Sequence, residues 1–139
     1  MYSGELQFLN DNNFASVTKG KIFIVDFYAD WCGPCVAFAP TFEAVAKKMS
    51  STNFAKVNVD NSPKLSAQFN IEFIPYIVAV KEGKVLEQYN GSRTEQDFQS
   101  WCSKMTGNSV TEKDNKIIND KESSENTLSW SGLWVTKFG

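Results

Sequence analysis

Blocks of apolar residues recur along the chain, and their spacing alternates between that of a strand and that of a helix. The longest block, residues 22–29, is nearly continuous, which is typical of a central strand covered on both faces. Apolar residues then recur every three or four positions over residues 36–49, which predicts a long amphipathic helix. Alternation over residues 54–59 predicts another strand.

Shorter elements fill the intervals between these three. Residues 5–9 predict a first strand, and the side chains of residues 10–13 suit the cap of a helix that follows it. Ser62 and Pro63 suit the cap and the first turn of another helix. The chain therefore begins by alternating strands with helices.

The last elements change the sheet from parallel to mixed. Residues 76–80 and 85–89 flank a Gly-containing turn, which predicts an antiparallel hairpin. Thr94 suits the cap of a final helix that ends near residue 106. This order of elements predicts an α/β fold, a three-layer α/β/α sandwich with a central mixed β-sheet.

The composition divides the chain in two. We expect residues 1–106 to form one domain and residues 107–139 to form a polar extension, because residues 107–129 hold few large apolar groups. The extension ends in an apolar aromatic segment. Docking on the domain, a partner groove, a membrane surface or a neighbouring molecule in a crystal would each bury its large side chains. These are Leu128, Trp130, Leu133, Trp134 and Phe138.

Charge and hydropathy exclude several classes of function. The 14 basic and 16 acidic residues nearly cancel and form no basic block, so we expect no nucleic-acid partner. The first 20 residues lack the pattern of a secretory signal, and no apolar run has the roughly 18 residues of a membrane span. We therefore expect a cytoplasmic monomer without an integral membrane segment.

The run Trp31-Cys32-Gly33-Pro34-Cys35 carries the candidate chemistry. A cysteine at a helix N-terminus is stabilised as the reactive thiolate by free backbone amides and by the helix dipole. Cys32 occupies that position, and Cys35, one helical turn later, can attack a mixed disulfide formed at Cys32. Pro34 suits the first helical turn, and Gly33 leaves room for a substrate backbone.

Two cysteines at this spacing also occur in zinc sites. A structural zinc ion needs four ligands, however, and the chain offers one further cysteine, Cys102, and no histidine. We therefore expect no metal. Cys102 lies on the apolar side of the last predicted helix, where a buried core thiol is the simpler expectation than a regulatory one.

Residues 26–35, Asp-Phe-Tyr-Ala-Asp-Trp-Cys-Gly-Pro-Cys, resemble the active-site segment of the thioredoxin family. The resemblance covers about residues 5–106 and implies the thioredoxin fold and reduction of disulfides in other proteins. Further matching positions are Ala39, Pro40, residues 56–60, Ile74, Pro75, Gly83 and Gly91.

The resemblance also implies roles for residues near the dithiol. Asp26 would be the buried carboxyl group behind Cys35 that accepts and returns its proton. Apolar neighbours on a central strand should raise the pKa of Asp26, which suits that role. Lys56 would lie near Asp26 and moderate the shift of its pKa, although a strand lysine that faces solvent is the alternative.

A substrate surface is implied as well. Pro75 would be a cis-proline facing the cysteines, and Ile74 would pair its backbone with an extended substrate segment. Trp31, Ile74 and Gly91 would line a shallow apolar docking surface. The alternatives are an ordinary proline that opens the strand and a tryptophan that only packs.

Three positions depart from the common family pattern. Val36 replaces a frequent basic residue, which removes a positive charge near the thiols and should make Cys32 less acidic. Tyr28 replaces a frequent tryptophan, and Tyr76 replaces a frequent threonine after the proline. We expect these rings to make the groove bulkier and to change which substrates it prefers.

The sequence therefore predicts an enzyme that cycles between a dithiol and a disulfide at Cys32 and Cys35. By the resemblance it binds no cofactor, and NADPH reduces it indirectly through thioredoxin reductase. A secretory oxidase or isomerase is disfavoured, since such proteins commonly carry a histidine between the cysteines. The alternative from another class is a non-catalytic binding or scaffold module with the same fold.

Overall fold

A five-stranded sheet forms the centre of the fold in the computed structural model, which describes residues 6–108. The strands are arranged in the order β1-β3-β2-β4-β5. The pairs β1–β3 and β3–β2 are parallel, whereas β2–β4 and β4–β5 are antiparallel, so the predicted mixed sheet is confirmed. In chain order the strands are β1 (Leu6–Leu9), β2 (Ile22–Tyr28), β3 (Asn53–Asn58), β4 (Tyr76–Lys81) and β5 (Lys84–Gln88).

In the described part of the chain, four helices connect and cover these strands. The longest, α2, continues through Pro40, and a short 3₁₀ turn, Val59–Asn61, joins β3 to the third helix. The bounds agree with the sequence-based expectations to within a few residues. The helices are α1 (Phe14–Thr18), α2 (Gly33–Lys48), α3 (Pro63–Gln68) and α4 (Glu95–Thr106).

The helices cover both faces of the sheet, as the near-continuous apolar β2 predicted. On one face Ile24 packs with side chains of α2 and α4, including Phe42 and Phe98. On the other face Val25 packs with side chains of α1 and α3, including Phe14. Successive residues of a strand point to opposite faces, so β2 must be apolar on both. The three-layer α/β/α sandwich is confirmed.

Two predicted helix caps differ from the observed ones. The Asn13 side chain accepts a hydrogen bond from the Asn10 backbone N–H at 2.8 Å, so it stabilises the turn before α1 instead of the helix. Ser62 precedes α3, but its side chain makes no capping hydrogen bond. The Asp11 carboxylate instead accepts from the backbone N–H groups of Lys64 and Leu65, at 3.1 and 2.9 Å.

The last helix follows its prediction closely. The Thr94 hydroxyl accepts a hydrogen bond from the Asp97 backbone N–H at 3.2 Å, and Gly107 ends the helix with a φ of 75°. Within residues 6–108, no helix is long and apolar enough to cross a membrane. The aromatic segment expected near the C-terminus lies outside the described residues, as does most of the predicted extension.

Candidate active site

The two cysteines of the motif meet where β2 leads into α2. Cys32 is the residue before the helix and Cys35 lies in its first turn, and the two sulfurs form a disulfide across a Cα–Cα distance of 5.2 Å. Pro34 also lies in the first turn, where its missing N–H leaves no helical hydrogen bond unmade. The redox-active disulfide expected from the sequence is therefore present in the structure.

The helix N-terminus acts directly on the Cys32 sulfur. Cys32 Sγ accepts a hydrogen bond from the Cys35 backbone N–H at 3.2 Å, so the Cys32 side chain caps the N-terminus of α2. An amide that donates to sulfur stabilises a thiolate more than a thiol, and the helix dipole adds to that preference. Among residues 6–108, no side chain comes within 4 Å of the place where a Cβ would stand on Gly33, so this part of the chain leaves the approach to the disulfide open there.

The loop before β4 lies against the same sulfur. Cys32 Sγ is 3.8 Å from the carbonyl oxygen of Ile74, and the Ile74–Pro75 peptide bond is cis, as the resemblance implied. Ile74 packs against the cluster formed by Ala29 and the two cysteines. Backbone groups of Ile74 thus lie beside the Cys32 sulfur.

Trp31 directly precedes Cys32 and is exposed beside the disulfide. Its side chain is 71% exposed, so it is not a core packing residue. The indole Nε1–H donates to Asp60 Oδ2 at 2.9 Å, which fixes the orientation of the ring. Trp31 and Ile74 line the same surface cavity.

Asp26 is a fully buried carboxyl group on the central strand. Ile24, two residues earlier, packs toward α2, and side chains two apart on a strand share a face, so Asp26 points toward α2 as well. Neither carboxyl oxygen has a hydrogen-bond partner among residues 6–108. Burial raises the pKa of Asp26 from 3.8 to about 7, because removal from water disfavours the charged form.

Two positive charges partly oppose this effect. Lys56 is the partner of Asp26 in the β2–β3 register and is buried, with Nζ 4.6 Å from the Tyr28 ring centroid. The guanidinium carbon of Arg93 lies 5.8 Å from the Phe38 ring centroid. Both charges lower the pKa of Asp26, Lys56 more than Arg93, but burial outweighs them.

Lys56 was predicted to lie near Asp26, whereas Arg93 was not among the predicted site residues. Lys56 is buried, so the alternative of a lysine facing solvent is wrong. Arg93 is the only arginine of the chain, and it lies in the loop between β5 and α4. The one signal in the sequence that could have pointed to an effect of Arg93 on Asp26 is its residue type, since an arginine stays charged in any surroundings.

Two residues predicted for the groove, Tyr76 and Gly91, do not line the cavity of Trp31. The ring of Tyr76 lies 5.9 Å from that of Phe27 and belongs to the cluster under α1 and α3, so it does not add bulk to the cavity of Trp31. A Cβ on Gly91 would stand 2.7 Å from the Tyr89 hydroxyl, so Gly91 leaves room for that ring. Phe73, which was not among the residues predicted for the groove, adds the bulk to this cavity.

The remaining cysteine is remote from this chemistry. Cys102 is a free thiol and fully buried in the cluster between the sheet and α2 and α4. Burial raises the pKa of the Cys102 thiol far above its usual range, which leaves it protonated and unreactive. Among the described residues, no group of three or more His, Cys, Asp or Glu side chains could hold a metal ion.

A mixed sheet between two helical layers, with a cysteine pair at the start of a helix and a cis-proline beside it, defines a dithiol-disulfide oxidoreductase. The thioredoxin family model matches residues 5–104. The chain therefore belongs to the thioredoxin family, whose members are disulfide oxidoreductases.

Individual proteins agree with this assignment. The thioredoxin of Chlamydia trachomatis is 34% identical over 86 residues, which cover 62% of this chain and 84% of the relative. The thioredoxin of Chlamydia muridarum is 32% identical over 99 residues, 71% of this chain and 97% of the relative. The solved structure of Malassezia sympodialis thioredoxin matches with a TM-score of 0.66 at 28% identity, covering 76% of this chain and 94% of that one.

Proposed function

We propose that Cys32 is the nucleophile of this oxidoreductase and Cys35 the resolving thiol. The observation that carries the proposal is the hydrogen bond from the Cys35 backbone N–H to Cys32 Sγ at the start of α2. It favours the anionic form of Cys32 over that of Cys35, which lies inside the first helical turn. Because the thiolate is the attacking species, the first step belongs to Cys32.

The reaction then has two displacements. The Cys32 thiolate attacks one sulfur of a substrate disulfide, forms a mixed disulfide and releases the other substrate sulfur as a thiolate. Cys35 loses its proton and attacks Cys32 Sγ, which forms the Cys32–Cys35 bond and releases the second substrate thiolate. Two electrons pass from the protein to the substrate, which becomes a dithiol after it takes up two protons.

Asp26 is the proposed proton acceptor for Cys35. Its position under α2 and the absence of hydrogen-bond partners within residues 6–108 leave its oxygens available for a proton. With the pKa of Asp26 near 7, both of its forms are populated at neutral pH, so it can take a proton and return it. Lys56 keeps the pKa of Asp26 from rising further.

We propose that thioredoxin reductase returns electrons from NADPH to the disulfide, and that the protein works in the cytoplasm. Family membership supports the electron donor. A reducing compartment suits a catalytic disulfide because thiols are regenerated there. Trp31, Ile74 and Pro75 would guide disulfide-containing protein substrates to Cys32, with Gly91 at the edge of that surface.

The test is reduction of insulin, measured with NADPH and thioredoxin reductase and separately with dithiothreitol as direct donor. Cys32→Ser should abolish turnover, and Cys35→Ser should accumulate a mixed disulfide between Cys32 and the substrate. Cys102→Ser is the matched control and should retain the full rate, because that thiol is buried.

Three results would change the proposal. An unmodified protein that is inactive with both donors would rule out the enzyme and favour the binding module. Activity with dithiothreitol alone would mean that another donor replaces the reductase. A mixed disulfide trapped in Cys32→Ser instead of Cys35→Ser would exchange the two thiol roles.

A further inference from the structure

Two large aromatic side chains stand exposed close to the disulfide. Trp31 is 71% exposed and Phe73 is 76% exposed. Both line one surface cavity of about 270 Å³, together with Ile71 and Ile74. Exposed apolar side chains that share one concave patch are typical of a recognition surface.

The cavity lies next to the Cys32 sulfur, which a substrate disulfide must approach. Ile74 lines the cavity, and its carbonyl oxygen lies 3.8 Å from Cys32 Sγ. An extended segment advances about 3.3 Å per residue with side chains on alternating sides. A residue one or two positions from the substrate cysteine would therefore place its side chain over this cavity.

The size and lining of the cavity indicate which substrate side chains it can bind. At about 270 Å³ it is below the range of roughly 300–1,000 Å³ that is usual for pockets of drug-sized ligands, so it suits one or two side chains. Two aromatic rings and two isoleucines line it. A bulky apolar side chain such as Leu, Met or Phe fits that surface best.

The charges around the cavity are negative. Of the residues that the structure describes, Glu72 is the one charged residue that lines it, and Glu72 is exposed. Asp60, also exposed, holds the indole of Trp31. Two carboxylates at the rim favour a basic neighbour of the apolar side chain, although exposed pairs of this kind are weak and sensitive to salt.

We propose that the cavity of Trp31 and Phe73 selects disulfide-bonded protein substrates that carry a bulky apolar residue next to a basic residue beside the cysteine under attack. Phe73 is the specificity-determining residue and Glu72 contributes the charge preference. The inference rests on the proposed function, because it assigns a substrate class to the same dithiol.

The experiment uses the full-length protein and peptides that each contain one internal disulfide. The two residues that follow the first cysteine are Phe-Lys, Phe-Glu, Ser-Lys or Ser-Glu. The second-order rate constant for reduction is measured for each peptide. Every value is divided by the rate constant of the same protein variant with hydroxyethyl disulfide, which has no side chain to fill the cavity.

The unmodified protein should reduce the Phe-Lys peptide about tenfold faster than the Ser-Glu peptide, which corresponds to about 1.4 kcal/mol. Phe73→Ser should remove most of the Phe over Ser preference. Glu72→Gln should lower the Lys over Glu preference by about two- to threefold. Phe8→Ser, an exposed aromatic residue that lines a different cavity, is the matched control and should keep both preferences.

Equal normalised rates for all four peptides, or preferences that survive in Phe73→Ser, would overturn the inference and leave the proposed function intact. A protein that reduces neither hydroxyethyl disulfide nor any peptide would overturn both. A preference for Ser-Glu over Phe-Lys would reverse the assigned substrate class.

Discussion

The buried Asp26 carboxyl group should make the stability of this protein depend strongly on pH. With a pKa of about 7 in the folded protein and 3.8 in the unfolded chain, it stays protonated in the fold while the unfolded chain ionises. The free energy of unfolding therefore falls as the pH rises from about 4 to about 7, and the loss is complete above that range. The Asp26 contribution amounts to about 4 kcal/mol, since each pKa unit corresponds to about 1.4 kcal/mol.

Asp26→Asn removes the ionisation and keeps the shape of the side chain. The constant cost of burying an amide without partners is the same at every pH, so it cancels from the comparison. The difference in unfolding free energy between Asp26→Asn and the unmodified protein should therefore move by about 4 kcal/mol in favour of the variant between about pH 4 and about pH 9.

Urea unfolding of the oxidised protein measures this difference, because the intact disulfide keeps Cys32 and Cys35 from titrating. The control is Glu43→Gln, which makes the same change from a carboxyl group to an amide at an exposed position of α2. A change below about 1 kcal/mol for Asp26→Asn would contradict this prediction, since it would mean that the folded protein hydrates or pairs this carboxylate.

Three further predictions follow from individual contacts. Lys56→Met should raise the pKa of Asp26 further, because it removes the larger of the opposing charges, and carboxyl ¹³C NMR titration of Asp26 measures that shift. Gly91→Ala should lower the free energy of unfolding by about 1–3 kcal/mol, since the buried Tyr89 ring must move to admit the methyl group. Cys102 should resist alkylation by iodoacetamide in the folded, reduced protein and react only after denaturation, as peptide mass mapping would show.

Each of these has a result that would contradict it. An unchanged or lower carboxyl pKa in Lys56→Met would show that the lysine charge does not reach Asp26. Full stability of Gly91→Ala would mean that the Tyr89 ring has room to turn. Labelling of Cys102 at the rate of an exposed thiol would show that the cluster between the sheet and α4 opens readily.

The order of the elements could be predicted because its signals are local. The continuous apolar run of β2 and the three- to four-residue spacing of α2 each follow from which faces the element buries. Thr94 caps α4 within three residues of its own position, so that cap is visible in the sequence. Cys32 and Cys35 are likewise placed by the start of one helix.

The cap of α3 could not be predicted from the residues around it. Ser62 has the right type and position, yet Asp11, more than 50 residues away, supplies the oxygens. A carboxylate accepts from two amides at once, whereas the Ser62 hydroxyl is buried without a hydrogen-bond partner within the described part of the chain. No pattern near Ser62 could reveal a competitor from another part of the chain.

The sequence alone was enough to predict the thioredoxin fold, the dithiol at the start of α2 and the buried carboxyl of Asp26 on the strand before it. Tertiary structure alone decided that Arg93 acts on Asp26, that Tyr76 turns away from the groove, and that Phe73 shares a cavity with Trp31. The physical reason is the distance along the chain over which each feature is decided. Helix ends and strand faces are set by neighbours along the chain, whereas electrostatic influence and cavity walls depend on which loops the packed sheet brings together.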